Sequence, residues 1–209
     1  MTFTSPFSQA ISQASGLIFD CDGTLVDTML AHQYGLEKAL QRRGLVLPTE
    51  WFYQNHSITA DALLQKFEAE GLGRIEDKDR VLTEHQQYFR EHLHLLQEVT
   101  VVSSVAREFK GKMPLAVASN GNRANVIVTL EAIHLLDCFD EIVTREDVVH
   151  GKPAPDIYLE AARRLGVSAD RCVVFEDSET GLVAARAAGS IVVDVREYYQ
   201  PSWQPAGHH

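Results

Sequence analysis

Four short segments, far apart in the 209-residue chain, carry side chains suited to phosphoryl transfer. The first, Asp20-Cys21-Asp22-Gly23-Thr24-Leu25-Val26-Asp27, holds two carboxylates one residue apart and follows the apolar run Gly16-Leu17-Ile18-Phe19. That run reads as a buried strand whose carboxyl end enters a tight turn. Alternation along an extended chain sends Asp20 and Asp22 to one side and Cys21 to the other. Two carboxylates so placed repel each other, so a cation, a proton or both must accompany them. The second segment, Ser119-Asn120-Gly121, offers a hydroxyl, an amide and turn N–H groups that can hold phosphate oxygens. The third, Gly151-Lys152-Pro153-Ala154-Pro155, carries one lysine on a loop stiffened by two prolines. The fourth, Glu176-Asp177-Ser178, is a second acidic pair. Asp20, Asp22, Glu176 and Asp177 supply four carboxylates, joined by one lysine and several donors, an oxygen-rich set that suits Mg²⁺ with part of its shell left to water and substrate phosphate.

Taken singly, each segment has an ordinary reading. Asp-x-Asp occurs in solvated turns and helix caps, Ser-Asn-Gly in simple turns, Lys-Pro in exposed loops, and an acidic pair before a helix can satisfy its dipole. Joint placement argues otherwise, because each segment lies just after a predicted strand. The strands are Gly16 to Phe19, Pro114 to Ala118, Glu141 to Val143, Cys172 to Glu176 and Ile191 to Asp194. Helices are expected between them at Asn122 to His134, Pro155 to Gly166 and Gly181 to Gly189. Such alternation predicts an α/β fold with a mostly parallel sheet covered on both faces, whose carboxyl edge gathers the four segments. From about Thr28 to Gln97 the texture is helical. Leu36, Ala39 and Leu40, then Leu63, Leu64 and Phe67, then Val81, Leu82, Tyr88 and Phe89 give at least three amphipathic helices, with breaks at Gly44 to Pro48 and Gly71 to Gly73. This helical segment reads as an insertion after the first strand.

The length permits a substantial core. A net charge of −10 and the lack of any Lys/Arg cluster argue against nucleic acid and leave an anionic substrate to a local positive site. No apolar stretch is long enough to span a membrane, and no leader pattern opens the chain, which predicts a cytoplasmic protein without membrane association. Cys21, Cys138 and Cys172 have no metal-ligand spacing and read as buried free thiols. His208 and His209 read as a frayed tail without function.

The motifs DCDGTLVD, ASNG, GKPAPDIY and FEDSETG, in this order over about Gly16 to Val195, resemble the haloacid dehalogenase-like hydrolases, in the branch of β-phosphoglucomutase and sugar-phosphate phosphatases. The resemblance implies a Rossmann-like three-layer core with a parallel sheet, residues 1–27 and 98–209, and an inserted α-helical cap, residues 28–97. It implies that Asp20 attacks phosphorus and becomes an aspartyl phosphate. It makes Asp22 the general acid and then the base, Ser119 the phosphoryl-binding hydroxyl and Lys152 the cation that offsets negative charge. Mg²⁺ then falls to Asp20, the Asp22 main-chain carbonyl and Asp177, with Glu176 as ligand or support. Gly23 and Thr24 shape a turn whose N–H groups can face the phosphoryl oxygens, and Asn120 joins them in binding substrate. His32 resembles a position that faces the active site in β-phosphoglucomutase. Arg123, just past Ser119, can meet a substrate's anionic end or be a surface residue in the first turn of a helix. Asp27 is expected to cap the first helix of the insertion and serve as a hinge.

The expected activity is hydrolysis of a small phosphorylated metabolite, a sugar phosphate resembling fructose 1-phosphate, by a Mg²⁺-dependent monomer. A phosphomutase needs a second phosphate-binding cation in the cap, and Ala60 stands where β-phosphoglucomutase has an arginine. A protein that only binds a metabolite or partner would not need all of the reacting groups, and a metal-free dehalogenase would not need Asp22 or the second acidic pair.

Overall fold

The computed structural model describes residues 6–55, 58–201 and 203. In chain order the elements are helix α1 (Ser8–Ile11), strands β1 (Gly16–Phe19) and β2 (Val26–Asp27), helices α2 (Met29–Gln41), α3 (Thr49–Gln54), α4 (Ala60–Ala69) and α5 (Lys78–Glu91), and strand β3 (Gln97–Glu98). They continue with α6 (Thr100–Phe109), β4 (Leu115–Ser119), α7 (Arg123–Ala132), β5 (Glu141–Thr144), α8 (Asp156–Leu165), β6 (Cys172–Glu176), α9 (Glu179–Ala187) and β7 (Ile191–Asp194). The chain divides into two compact units, residues 1–27 with 97–200 and residues 28–96 with 201–209.

The first unit is built on a five-stranded parallel sheet in the order β5-β4-β1-β6-β7. Every residue of β1, β4 and β6 is buried, as expected of central strands covered on both faces, whereas the outer strands β5 and β7 are partly exposed. Side chains sort by parity. Ile18, Ala116, Ala118 and Val174 form one cluster with Ile157, Tyr158, Ala161, Ala184 and Ala185 of α8 and α9. On the opposite face Phe19 and Phe175, paired in register, stack with ring centroids 4.8 Å apart, and Phe7 meets Phe175 edge-on at 5.1 Å. Because the strands are parallel, the carboxyl ends of β1, β4 and β6 share one edge, and Asp20, Ser119 and Glu176 stand on it. The three cysteines are buried free thiols, as predicted.

In the second unit, α2 to α5 enclose a core of Leu36, Leu40, Phe52, Leu63, Leu64, Phe67 and Val81. Of the apolar positions expected on amphipathic helices, Leu36, Ala39, Leu40, Leu63, Leu64, Phe67, Val81 and Phe89 are buried, and Leu82 and Tyr88 are half-buried. Trp203 stacks on Tyr53 at 5.1 Å, so this part of the tail groups with the helical unit rather than with the core, while His208 and His209 lie outside the described residues.

Two local expectations differ. Asp27 does not occupy the cap position of α2: Thr28 does, and it makes no side-chain cap bond. Asp27 is instead the last residue of the two-residue strand β2, paired antiparallel with β3, and Tyr199 Oη donates to its Oδ2 at 3.3 Å. Two residues are too short a run for alternation to register, which is why β2 and β3 were not anticipated. Helix α6, buried through Val102, Val105 and Ala106, was also not anticipated as an element.

Candidate active site

The turn after β1 explains its own sequence. The Cys21 carbonyl accepts from the N–H groups of Leu25 at 3.0 Å and Val26 at 3.2 Å, folding the chain back on itself. Gly23 sits at φ +87°, and a Cβ there would lie 2.1 Å from Asp177 Oδ2, so both conformation and space call for glycine. The N–H groups expected to face phosphate are used within the turn: Gly23 N donates to Val26 O at 2.8 Å and Thr24 N to Cys21 O at 3.4 Å. Thr24 acts through its hydroxyl, which donates to Asp177 Oδ1 at 2.8 Å and ties the first motif to the fourth.

Lys152 lies at the centre. Its Nζ donates to Asp20 Oδ1 at 2.5 Å and to Glu176 Oε1 at 2.6 Å, and its side chain is 3% exposed. Burial works against this ammonium, but Asp20 and Glu176 outweigh it and hold its pKa well above the usual lysine value. Glu176 is wholly buried and its two oxygens are engaged by four donors. Oε1 accepts from Lys152 and from Tyr158 Oη at 3.0 Å, and Oε2 accepts from Ser178 N at 2.7 Å and Ser178 Oγ at 3.0 Å. Ser178 in turn caps α9 by accepting from Gly181 N at 3.1 Å. Despite burial, Lys152 and the Ser178 donors keep the Glu176 carboxyl below its ordinary range.

The remaining carboxylates behave oppositely. Burial raises the Asp20 pKa well above the usual aspartate value; Lys152 opposes the rise, and Glu176, Asp177 and Asp22 add to it. Asp177 is pushed up to about 7 by burial and by Glu176, against the hydrogen bond from Thr24. Oxygens of Asp20, Glu176 and Asp177 lie within 4.8 Å of one another. An oxygen-only cluster in which Asp20 and Asp177 resist ionisation in the absence of added positive charge fits a hard divalent cation such as Mg²⁺.

Ser119 and Asp22 flank one point. A Cβ built on Gly121 would lie 3.1 Å from Ser119 Oγ and 3.6 Å from Asp22 Oδ2. Ser119 Oγ accepts from Gly121 N at 2.9 Å, which orients the hydroxyl while leaving its proton to be donated. Of the ten carboxylate, hydroxyl, ammonium and turn positions expected in the core, Asp20, Asp22, Gly23, Thr24, Ser119, Lys152, Glu176 and Asp177 do gather at the carboxyl edge.

Two others serve differently. Asn120, expected to bind substrate, brackets the main chain of Lys152: its Oδ1 accepts from Lys152 N at 3.0 Å and its Nδ2 donates to Lys152 O at 3.3 Å. Arg123, expected near a substrate anion, donates from Nη2 to Asp147 Oδ2 at 2.6 Å and to Ile142 O at 2.9 Å, so its guanidinium secures β5 and the turn after it. His32 belongs to the helical unit, where its ring stacks on Phe89 at 4.3 Å and its Nδ1 lies 3.2 Å from His85 Nε2. Nothing in the sequence pattern marks Tyr158 or Ser178 for a role. Each lies inside a recognised motif, but only the fold reveals that both converge on Glu176.

The comparisons with known proteins agree with this architecture. The family model described as haloacid dehalogenase-like hydrolase matches residues 14–189. Fructose-1-phosphate phosphatase YqaB of Escherichia coli K12 is 35% identical over 186 residues, covering 87% of this chain and 96% of that protein. Phosphorylated carbohydrates phosphatase of Thermotoga maritima is 34% identical over 185 residues, covering 83% and 81%. Among solved structures, CbbY from Rhodobacter sphaeroides in complex with phosphate superposes with a TM-score of 0.75 at 25% identity, covering 86% of this chain and 84% of that one. β-Phosphoglucomutase from Clostridium difficile, at 23% identity and a TM-score of 0.70 over 87% and 84%, shares the fold. A parallel five-stranded sheet, four motifs converging on its carboxyl edge and a match over most of the length together establish that the chain belongs to the haloacid dehalogenase-like hydrolase family.

Proposed function

We propose that this phosphoric monoester hydrolase is a Mg²⁺-dependent phosphatase of small sugar phosphates, with Asp20 as nucleophile. The observation that carries the reading is the contact of Lys152 Nζ with Asp20 Oδ1 at 2.5 Å, which aims a buried cation at the carboxylate that must approach a phosphate anion. In the first displacement an Asp20 oxygen forms a bond to phosphorus while the ester P–O bond breaks, and Asp22 gives its proton to the departing alkoxide. In the second, Asp22 takes a proton from water, the water oxygen bonds to phosphorus, and the bond to Asp20 breaks to release inorganic phosphate. Ser119 donates its hydroxyl to a phosphoryl oxygen throughout, and Lys152 offsets the charge shared by nucleophile and phosphoryl group.

Asp20, Asp177 and the main-chain carbonyl of Asp22 would hold Mg²⁺, with Glu176 behind them. When bound, the ion supplies positive charge for the phosphoryl oxygens. The similarity to fructose-1-phosphate phosphatase YqaB supports a phosphorylated ketose as the first substrate to try.

Phosphate release measured across phosphorylated sugars, sugar acids and nucleotides, with Mg²⁺ and with excess chelator, tests the reading. A sugar phosphate should lead the panel, chelator should abolish turnover, and Asp20→Asn should reduce it to background with the fold intact. Turnover retained in Asp20→Asn would refute Asp20 as nucleophile, and turnover in chelator would remove the metal.

A further inference from the structure

Lysine is a long side chain with four rotatable bonds, and a single carboxylate leaves its ammonium several positions to choose from. Here three groups restrict Lys152. Asp20 receives one bond, Glu176 Oε1 another, and the face of the Tyr158 ring lies 5.0 Å from Nζ. Tyr158 is itself fully buried at the base of α8 and spends its hydroxyl on the same Glu176 oxygen that receives Lys152. The second oxygen of Glu176 is fixed by Ser178, and Gly181 closes the remaining side so tightly that a Cβ would lie 1.7 Å from Oε1.

From this arrangement we propose that Tyr158 is a positioning residue for the reaction: through Glu176 it fixes Nζ of Lys152 against Asp20. Glu176 then serves as the counter-ion that aims the lysine, and the cation is left to Asp20, Asp177 and the Asp22 carbonyl. The inference rests on the phosphatase reading for its kinetic consequence but not for its structural one. A tyrosine whose only task was to fill the space under α8 would be replaced by phenylalanine without effect on Lys152, because the ring and its contact with Nζ are kept.

Tyr158→Phe is the test, read in two ways. In steady-state kinetics kcat should fall about tenfold, the loss of one hydrogen bond to a charged acceptor, with KM for the ester within about twofold of the parent. In the Glu176→Gln background the same substitution should change kcat by less than about twofold, since two residues acting as a unit do not lose their effects independently. The second readout needs no turnover: with ¹⁵N-labelled lysine, the Lys152 ammonium protons should be protected from solvent exchange in the parent and lose that protection in Tyr158→Phe. Should Tyr158→Phe not fold, Ser178→Ala removes a hydroxyl from the other Glu176 oxygen and should loosen the ammonium in the same direction. An unchanged kcat with unchanged ammonium exchange would overturn the proposal, as would losses that multiply in the double variant. If the parent hydrolyses no phosphate ester, the functional reading fails, and the exchange measurement alone still decides whether Tyr158 positions Lys152.

Discussion

Gly181→Ala separates helix propensity from the packing of the site, because the two predict opposite signs. Gly181 is in the first turn of α9, where alanine in place of glycine should stabilise an ordinary helix by about 0.8–1.0 kcal/mol. The added Cβ would, however, lie 1.7 Å from Glu176 Oε1, 1.9 Å from Cδ and 2.5 Å from Oε2. Restoring ordinary contact at 3.4 Å requires the carboxylate to move by about 1.7 Å, which breaks its bonds to Lys152, Tyr158 and Ser178. Disrupting a buried ion pair costs about 3–5 kcal/mol, and the lower end applies because Lys152 keeps Asp20. Net of propensity, the variant should be destabilised by about 2 kcal/mol, which lowers Tm by about 4–8 °C for a unit of this size. Thermal unfolding by circular dichroism and kcat on the best sugar phosphate would be measured together, and kcat should fall at least about tenfold because the lysine is released. A Tm equal to or above the parent's, with unchanged kcat, would mean that the Glu176 carboxylate is not held as described.

Two further outcomes follow from the contacts. Asn120→Ala removes both side-chain bonds to the Lys152 main chain at an exposed position, so stability should change by less than about 1 kcal/mol while kcat falls several-fold; an unchanged kcat would show that the loop carries Lys152 correctly without the bracket. In the helical unit burial lowers the His32 pKa to about 4 and, with His32 beside it, that of His85 to about 3, whereas the unfolded chain titrates near pH 6.5. Between these values the unfolded chain binds protons that the folded unit refuses, so stability is complete above about pH 7 and is lost as pH falls toward 3, by about 2 kcal/mol at pH 5 for each histidine and about 4 kcal/mol for the pair. Trp51 and Trp203 are the two tryptophans and both belong to this unit, so urea unfolding followed by tryptophan fluorescence at pH 7.5 and 5.0 measures it; equal midpoints would sink the argument.

The sheet was legible because its three central strands are continuous apolar runs that end abruptly in polar segments, and period and length together leave few alternatives. The helical insertion was legible from its buried stripes. Short elements were not: β2 and β3 have two residues each, and their pairing joins positions about seventy residues apart, which no local pattern encodes. Arg123 and Asn120 mark the limit for side chains. Both follow β4, but a sequence gives no direction for a guanidinium or an amide, and the partners that claim them, Asp147 and the Lys152 main chain, come from a different stretch of the chain.

The four carboxylates mark the same limit more sharply, since spacing alone makes them equivalent. With Lys152 as the single buried cation among them in the described residues, the site is short of positive charge, and burial decides how the shortage is shared. Glu176 takes the lysine and three further donors, and stays ionised. Asp20 shares that lysine, yet burial with Glu176, Asp177 and Asp22 nearby still drives its pKa up, and Asp177, supported by the Thr24 hydroxyl and more distantly by Lys152, rises to about 7. A divalent cation between Asp20 and Asp177 would reverse both shifts, because it favours the ionised form of each carboxyl it touches. Under the proposal that Glu176 aims Lys152, its carboxylate, already ionised beside the ammonium, is the one that such an ion would shift least.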